Sequence, residues 1–236
     1  MESLNQCQAD NAFGEFTDTR DGQKYRTVKI GSQVWMAENF NYKPESGHAY
    51  SYGGDESLHD KYGRLYDWEA ARAVSPAGWH LPSLDEWVDL LIAVSGKSLW
   101  GPIVPVKPPS YDSLYNTDST PPYLRIPQRS AWYGNDAAGG MLKATSGWND
   151  FEGKNGNGSD DYGFSALPGG YFVPGKGLYG VGECGRWWTA TEHSAGINKS
   201  LNMYHLNDYA RGCLCLWNRG FSVRCVKDAE PVEPVL

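Results

Sequence analysis

Two segments of this sequence are rich in side chains that could bind a ligand or an ion. The first, residues 148–161, is dense in side-chain oxygens and in glycine. Oxygen ligands on a flexible loop are the kind that Ca²⁺ takes. The candidate calcium ligands are Asn149, Asp150, Asn155, Asn157, Asp160 and Asp161. Their spacing is not that of an EF-hand, and Asn-Gly-Asp runs are commonly plain turns, so a calcium site and a turn system both stay open.

The second segment, residues 193–219, mixes Asn, Tyr, His, Ser, Asp, Cys, Arg and Trp in an order that fits neither an amphipathic helix nor a simple loop. Tyr and Trp offer broad contact area at low entropic cost, and Asn and Ser offer adaptable hydrogen bonds, as in antibody loops. We predict a binding face here; the alternative is a solvated surface without a ligand. The predicted ligand-binding residues are Trp188, Glu192, His193, Asn198, Asn202, Tyr204, Asn207, Tyr209, Arg211, Cys213, Cys215 and Trp217.

The cysteines do not indicate a metal or redox site. There are five, Cys7, Cys184, Cys213, Cys215 and Cys225. They show no zinc-type pair of pairs, and an odd number leaves at least one thiol outside any intramolecular disulfide. Residues two apart on a strand point to the same face, so we expect Cys213 and Cys215 to share a face without bridging each other.

Catalytic constellations are not evident either. The histidines, His48, His59, His80, His193 and His205, are scattered. No serine lies in a nucleophile elbow, and no glycine-rich loop has Walker spacing. Asp85 and Glu86 could suggest the carboxylate pair of a glycosidase. They are neighbours at a predicted helix start, however, where adjacent side chains point apart and the helix dipole favours acids, so we reject that interpretation. We predict no enzyme activity and a structural, hydrogen-bonded role for His80.

Net charge excludes two classes of partner. The 236 residues carry a formal charge of −7 with a pI near 5.2, which does not suit nucleic acid or an anionic membrane. No apolar run approaches the roughly 20 residues of a membrane span, and residues 1–10 lack the features of a signal peptide. We predict no nucleic-acid partner and no membrane span, and leave the oligomeric state open.

The chain length favours one domain. We expect a loose lead-in at 1–15, a single domain over 16–228 and a tail at 229–236. Seven prolines between residues 97 and 131 exclude regular helix and central strand there, which indicates a surface insertion.

Periodicity and turn residues predict the elements. Ser83 and Glu86 form a capping box before an apolar i, i+3, i+4, i+7 stripe that Gly96 ends. Residues 41–61 are predicted as loop and 146–163 as a turn system. Helices are predicted over 62–74, 84–95 and 136–145, and strands over 25–30, 33–40, 164–171, 187–191 and 221–226.

Several separated blocks keep an order that resembles the Fibrobacter succinogenes major paralogous domain family. They are DGQKYRTVKIGSQVWMAENFNY (21–42), YGRLYDW (62–68), GWHLPSLDEW (78–87), DYGFSALPGGY (161–171), WWTATE (187–192) and GFSVRCVKD (220–228). That family is similar to the C-type-lectin-like fold, in the branch that contains the formylglycine-generating enzymes. The resemblance implies an α+β fold with two helices packed on small, twisted antiparallel sheets with long loops.

The resemblance also bears on the cysteines and on the variable segment. Family members often carry Cys where this chain has Ser75, so the bridge to Cys225 that the resemblance suggests is missing, and Cys225 is free or paired with Cys7 or Cys184. Related proteins diversified by retroelements vary in the region of 193–219. Lys199, Met203 and Trp217 fall outside the residues that adenine-directed mutagenesis of Asn codons produces, and would be framework.

These observations lead to one expected function with two alternatives. We expect a non-catalytic binding module of a secreted or surface-anchored protein, which recognises an extracellular protein or glycan through 193–219, a face open to retroelement diversification. The first alternative is a calcium-assisted carbohydrate-binding domain that uses 148–161. The second is a divergent cysteine enzyme.

Overall fold

The computed structural model describes residues 12–50, 52, 55–96, 134, 135 and 137–228. Over these residues the architecture is α+β, with small antiparallel sheets and few helices. The predicted insertion at 97–131 and the predicted tail at 229–236 lie outside the described residues. The predicted lead-in is wrong at its end, because Phe13, Gly14 and Glu15 already pair with the next strand.

The described elements follow one another in small pieces. The strands are β1 (Phe13–Thr17), β2 (Lys24–Ile30), β3 (Gln33–Met36), β4 (Ala49–Tyr50), β5 (Leu65–Tyr66), β6 (Trp79–His80), β7 (Gly134–Asn135), β8 (Tyr171–Val173), β9 (Gly177–Tyr179), β10 (Cys184–Ser194), β11 (Ile197–Tyr204), β12 (Ala210–Leu216) and β13 (Val226–Lys227). The helices are α1 (Glu56–Tyr62), α2 (Trp68–Ala73), α3 (Leu84–Ser95) and α4 (Ala138–Leu142).

The first sheet has the strand order β1-β2-β3-β13-β6. The predicted hairpin is confirmed: Ile30 pairs with Gln33 across a tight turn in which Gly31 has a φ of 60°, a value that glycine adopts without strain. Strand β13 enters between β3 and β6, where Val226 pairs with both Trp35 and His80. The predicted strand over 221–226 is confirmed only at its last residue, because Phe221 and Ser222 make isolated bridges to other segments.

Helix α3 follows its sequence pattern closely. The Ser83 hydroxyl accepts from the Glu86 amide and the Glu86 carboxylate accepts from the Ser83 amide, which completes the predicted capping box. Gly96 closes the helix in the left-handed conformation. The predicted stripe of Trp87, Leu90, Leu91 and Val94 is buried, so burial of one face fixes the helix on the core.

Three other predictions need correction. The two helices implied by the resemblance are too few for the described residues, which form four: α4 lies within the predicted helix 136–145, but α1 begins in the predicted loop 41–61 and ends at Tyr62. The helix predicted over 62–74 begins only at Trp68, since the Asp67 side chain caps it there. The strand predicted over 164–171 is wrong up to Gly170, because Ser165 has a φ of 53° and its carbonyl accepts from Arg224 instead of from a neighbouring strand.

The second sheet has the strand order β10-β11-β12-β7 and is antiparallel. It lies between two apolar clusters. Trp187, Leu201 and Met203 pack on one side with Trp87 of α3, whereas Trp188 packs on the other side with Phe221. None of the helices in the described ranges has the length and apolar character that a membrane crossing requires.

Candidate functional site

Strand alternation divides the predicted binding segment between the two faces of the second sheet. In β11 the odd-numbered Leu201 and Met203 face the α3 cluster. The even-numbered residues face the other way, because successive side chains on a strand alternate. We call Asn198, Ser200 and Asn202 the polar ladder. Their partners on β12 are Cys215, Cys213 and Arg211, which therefore share the ladder's side of the sheet.

The polar ladder is buried and only partly hydrogen bonded. The Ser200 hydroxyl donates to Asn202 Oδ1 at 3.1 Å and lies 3.3 Å from Cys215 Sγ. Asn198 Oδ1 and Asn202 Nδ2 make no hydrogen bond in the described part of the chain. Buried amide atoms without partners are uncommon in folded proteins, because each costs roughly 1–3 kcal/mol.

Burial removes several predicted residues from any open binding face. Trp188 is part of the framework, since its indole N–H donates to the Tyr66 carbonyl at 2.7 Å. Tyr204 packs inward, and Arg186 donates to its hydroxyl at 3.3 Å. The predicted ligand-binding residues that are buried are Trp188, Asn198, Asn202, Tyr204 and Cys215. Their burial does not show in the sequence, because 193–219 has the composition of a surface, whereas the sheet is covered on both faces by apolar clusters.

The remaining predicted residues, apart from Cys213, fall at two ends of the sheet. We call residues 192–197 together with Trp217 the tip; Glu192, His193 and Trp217 are exposed there. We call residues 205–211 the base turn; it carries half-buried Tyr209 and Arg211, whose guanidinium lies 4.1 Å from the Tyr209 ring centre.

These two ends are too far apart to form one small site. Strand β11 has 8 residues, which corresponds to roughly 23 Å at about 3.3 Å per residue. The structure thus replaces the single predicted face with two separate surfaces. Half-buried Asn207 belongs to the base turn, where its side chain accepts from the Tyr209 amide at 3.0 Å, and half-buried Cys213 lies on the sheet between the ends.

A cleft of about 380 Å³ borders the base turn. Its walls are α4 and the loop after it, and Asp208 and Asp161 place two carboxylates on it. Close packing forms this wall: a Cβ on Gly139 would lie 2.6 Å from the Asp208 carbonyl oxygen, so only glycine lets the turn approach the helix. The base turn is therefore the second candidate surface.

The predicted calcium loop uses several of its side chains on itself. Asn157 Oδ1 accepts from the Trp148 amide at 2.9 Å, and Asn155 Oδ1 accepts from the Asn157 amide at 3.0 Å. The Asp160 carboxylate accepts from the Ser165 amide at 2.7 Å and from its hydroxyl at 2.6 Å. These bonds are those of the predicted turn system.

The other predicted calcium ligands lie at the surface. Asn149, Asp150 and Asp161 are exposed. No three His, Cys, Asp or Glu side chains of the described ranges come together where they could hold a metal ion.

A lysine that the sequence interpretation missed organises this loop. The Lys143 ammonium donates to the carbonyls of Gly156, Asn207 and Tyr204 at 2.8, 3.0 and 3.4 Å and lies 3.5 Å from the Asp208 carboxylate. Burial lowers the pKa of Lys143, an effect that Asp208 opposes. The three carbonyls surround the Lys143 ammonium as oxygen ligands surround a bound cation. Its sequence signal was a single Lys between Leu142 and Ala144 at a helix end.

Cys225 is a buried thiol of the framework. Its thiol is buried, forms no disulfide and lies 3.5 Å from the Ser75 hydroxyl. Burial raises its pKa to about 12, so the nucleophilic thiolate is scarce at neutral pH. Of the two expectations for Cys225, a free thiol or a disulfide with Cys7 or Cys184, the free thiol is the one observed. Ser75 lies beside it, where the resemblance suggested a bridging cysteine. Cys7 lies outside the described residues.

Two polar residues of the framework have their partners in place. As predicted, His80 is held on both ring nitrogens, at 2.7 Å from Glu86 and 2.5 Å from Asp228. Asn39, which the sequence did not single out, accepts from the Trp187 indole at 2.8 Å and from Arg224 at 2.9 Å, and donates to the Tyr62 carbonyl at 2.8 Å.

Arg224 is fully buried beside Asn39. Its guanidinium donates to the Phe164 carbonyl and lies 4.3 Å from the Phe164 ring centre. Burial lowers its pKa. Arg224 and Asn39 thus connect the last block of the chain to its early segments.

Comparison with known proteins gives one match. The sequence model of the Fibrobacter succinogenes major domain matches residues 28–227, which include the end of β2, β3 to β13, α1 to α4 and the tip. No curated protein and no solved structure matches the chain.

Proposed function

Because this chain belongs to the Fibrobacter succinogenes major domain family, we propose that it is a non-catalytic ligand-binding module of a secreted or surface-anchored protein. Its ligand is an extracellular protein or glycan, and the tip, with Glu192, His193 and Trp217, is the surface that meets it. The finer fold assignment, C-type-lectin-like, is part of this proposal.

The observation that carries the proposal is an exposed aromatic side chain on a fixed backbone. Trp217 is 42% exposed. Its amide donates to the Gly196 carbonyl at 3.2 Å, and its carbonyl accepts from the Trp68 amide at 2.9 Å. Tryptophan presented in this way offers contact area with little conformational entropy left to lose, which is why it is common at binding hot spots.

The framework supports the tip from behind. Two bonds join the start of α3 to the end of β10: the Ala190 amide donates to the Pro82 carbonyl at 2.8 Å, and the Leu84 amide donates to the Thr191 hydroxyl at 2.9 Å. The GWHLPSLDEW block, on which the resemblance to C-type-lectin-like proteins partly rests, therefore contacts the strand that leads to Glu192. A binding surface held by a preorganised framework avoids the cost of ordering it on association.

Binding measurements on two sets of variants test the proposal. The protein is presented to arrays of glycans and of purified extracellular proteins, with calcium and with a chelator. We expect at least one ligand, whose affinity falls at least tenfold in the Glu192→Ala, His193→Ala, Trp217→Ala triple variant. The matched variant Tyr209→Ala, Arg211→Ala at the base turn should keep wild-type affinity.

The opposite pattern would overturn the assignment. Loss of binding only in the base-turn variant would place the site on the cleft beside Asp208. Binding that requires calcium and survives both sets of changes would support the calcium-assisted alternative at 148–161.

A further inference from the structure

Three separate segments meet beside the tip because a small sheet brings their ends together. Strands β4 and β5 pair so that Ala49 is opposite Tyr66, and Tyr66 bridges to Phe221. The Asp67 amide donates to the His48 carbonyl at 2.9 Å and the Trp68 amide donates to the Trp217 carbonyl at 2.9 Å, which brings the flanking residues to one edge. They are His48 before β4, Asp67 after β5, and Trp217 and Asn218 before Phe221.

His48 is held in one orientation at this edge. Its Nδ1 is 3.0 Å from Asp67 Oδ2, and its amide donates to the same oxygen at 3.2 Å. A carboxylate only accepts, so Nδ1 carries the proton. The Asp67 side chain is 2% exposed and the His48 side chain 75% exposed. A buried acid thus fixes an imidazole whose other edge, with Nε2, is open to solvent.

The floor beneath His48 is made of stacked rings. His48 lies over Tyr50 at 6.1 Å between ring centres, and Tyr50 lies over Phe172 at 4.2 Å. The Tyr50 hydroxyl donates to the Asn218 carbonyl at 3.2 Å. Gly220 permits this stack, because a Cβ there would lie 2.5 Å from the Tyr50 ring.

The side-chain oxygen of Asn218 is buried behind this edge. Asn218 Oδ1 makes no hydrogen bond among the described residues. The surface itself thus combines one exposed indole, that of Trp217, and one fixed imidazole, that of His48. Binding sites for small polar ligands commonly use such a set, in which an apolar platform gives affinity and a few fixed polar groups give orientation.

The surroundings of Trp217 favour a sugar over a protein. The other large apolar side chains exposed in the described ranges are Phe13, Ile92 and Phe151. Phe13 lies on β1, Ile92 on α3, and Phe151 packs against His205 of the base turn, so each belongs to a different element from Trp217, whereas large contiguous apolar patches are what mark protein interfaces. The electron-rich face of an indole attracts the partly positive C–H groups of a pyranose ring.

The geometry points to a carbohydrate-binding site on which a neutral hexose stacks against Trp217 and hydrogen bonds to His48 Nε2. This inference rests on the proposed function, since Trp217 belongs to the tip, and it names the ligand class. A neutral sugar fits better than an anionic one because the chain carries a net charge of −7 and the tip presents Glu192.

Titration with neutral oligosaccharides tests the inference. Maltohexaose, cellohexaose and mannohexaose are titrated by calorimetry against the wild type, Trp217→Ala and His48→Ala, with Phe151→Ala as the control for an exposed aromatic ring elsewhere. Asp67 keeps the amide donors of residue 48 and Ala70, so His48→Ala should fold, which circular dichroism and melting curves verify.

We expect at least one oligosaccharide to bind, with at least a tenfold loss of affinity in Trp217→Ala and in His48→Ala and none in Phe151→Ala. Absence of binding by all three sugars overturns the inference, as does wild-type affinity in either site variant. The proposed function fails separately, when neither the glycan nor the protein array gives a ligand that depends on the tip. A protein ligand that depends on Trp217 but not on His48 would keep the function and reject the sugar.

Discussion

Two buried asparagines, Asn39 and Asn202, show how differently this fold treats polar groups in its interior. Asn39 is in contact with four partners: its oxygen accepts from Trp187 and Arg224, and its amide nitrogen donates to the Tyr62 carbonyl and to the Ser222 hydroxyl at 3.4 Å. Asn202 accepts from Ser200, but its Nδ2 has no hydrogen-bond acceptor within the described ranges.

The contrast is between buried polar groups that hold framework segments together through complete hydrogen bonding, such as Asn39, and buried polar groups with unpaired atoms, such as Asn202. A satisfied network rigidifies a core, since each member would be costly to leave alone in a low dielectric. A buried network with unpaired atoms lowers the free energy of unfolding. Such networks are expected at functional sites, where stability is not the property that retains them. The Asn39 network connects segments far apart in the chain, whereas the polar ladder lies within the sheet whose tip we propose as the binding surface.

The largest effect is expected from Asn39→Ala. It leaves the Trp187 indole, an Arg224 N–H group and the Tyr62 carbonyl without partners in the interior, which should lower the free energy of unfolding by about 3–5 kcal/mol. Urea denaturation measures it. Asn207→Ala, which removes a single turn hydrogen bond, is the control and should cost about 1 kcal/mol or less. If Asn39→Ala lowered the free energy of unfolding by less than about 1 kcal/mol, the Asn39 network would be no more important for stability than the polar ladder.

A smaller but still large effect is expected from Lys143→Met. The substitution leaves the carbonyls of Gly156, Tyr204 and Asn207 facing an apolar group, at a cost of about 2–3 kcal/mol. Hydrogen exchange should accelerate at the amides of the base turn. Lys154→Met, on the exposed part of the same loop, is the control. Unchanged exchange in the base turn would show that Lys143 does not hold it.

Apolar replacement in the polar ladder should have little cost. Asn198→Val removes the unpartnered Oδ1 from the interior and suits a strand, so stability should stay equal or rise by up to about 1 kcal/mol. The same urea measurement applies. A clear destabilisation would mean that Asn198 has a hydrogen-bond partner, such as an ordered water, and would bring the ladder closer to the Asn39 network.

The smallest effect concerns His80 and pH. Burial opposes its charged form, but hydrogen bonds to Asp228 and Glu86 outweigh burial and raise the pKa of His80 above 6.5. Its contribution to stability is therefore complete below about pH 6.5 and is lost as pH rises through the raised pKa. His80→Gln should flatten this dependence between pH 6 and pH 9 by less than about 1 kcal/mol, because the pair is partly exposed. A steeper dependence in the variant would contradict the assignment.

Local signals in the sequence predicted the elements that local chemistry decides. The capping box at Ser83, the stripe on α3, the turn at Gly31 and the strand through Trp187 are each decided by neighbouring residues, and each is confirmed. Helix α1 escaped prediction because its seven residues are too few for a clear apolar period.

Burial in the second sheet could not be predicted in the same way. Asn198 and Asn202 have the residue type of a surface, and only the pairing of β10, β11 and β12 puts them inside. Lys143 and Asn39 were missed for a related reason, since their partners lie on segments distant in the chain. Of the predicted ligand-binding residues, Glu192, His193 and Trp217 are the exposed ones, and all three lie at the tip.

The position of β13 has a consequence for how the chain reaches its fold. Val226 fits between Trp35 and His80 although about 190 residues separate it from Trp35, and such long-range pairing slows folding because a large loop must close first. The early hairpin of β2 and β3 therefore presents an open edge during synthesis until the GFSVRCVKD block leaves the ribosome. Truncation before Phe221 should then yield a chain that associates through that edge and depends on chaperones. We expect no folded, functional domain in the truncated chain.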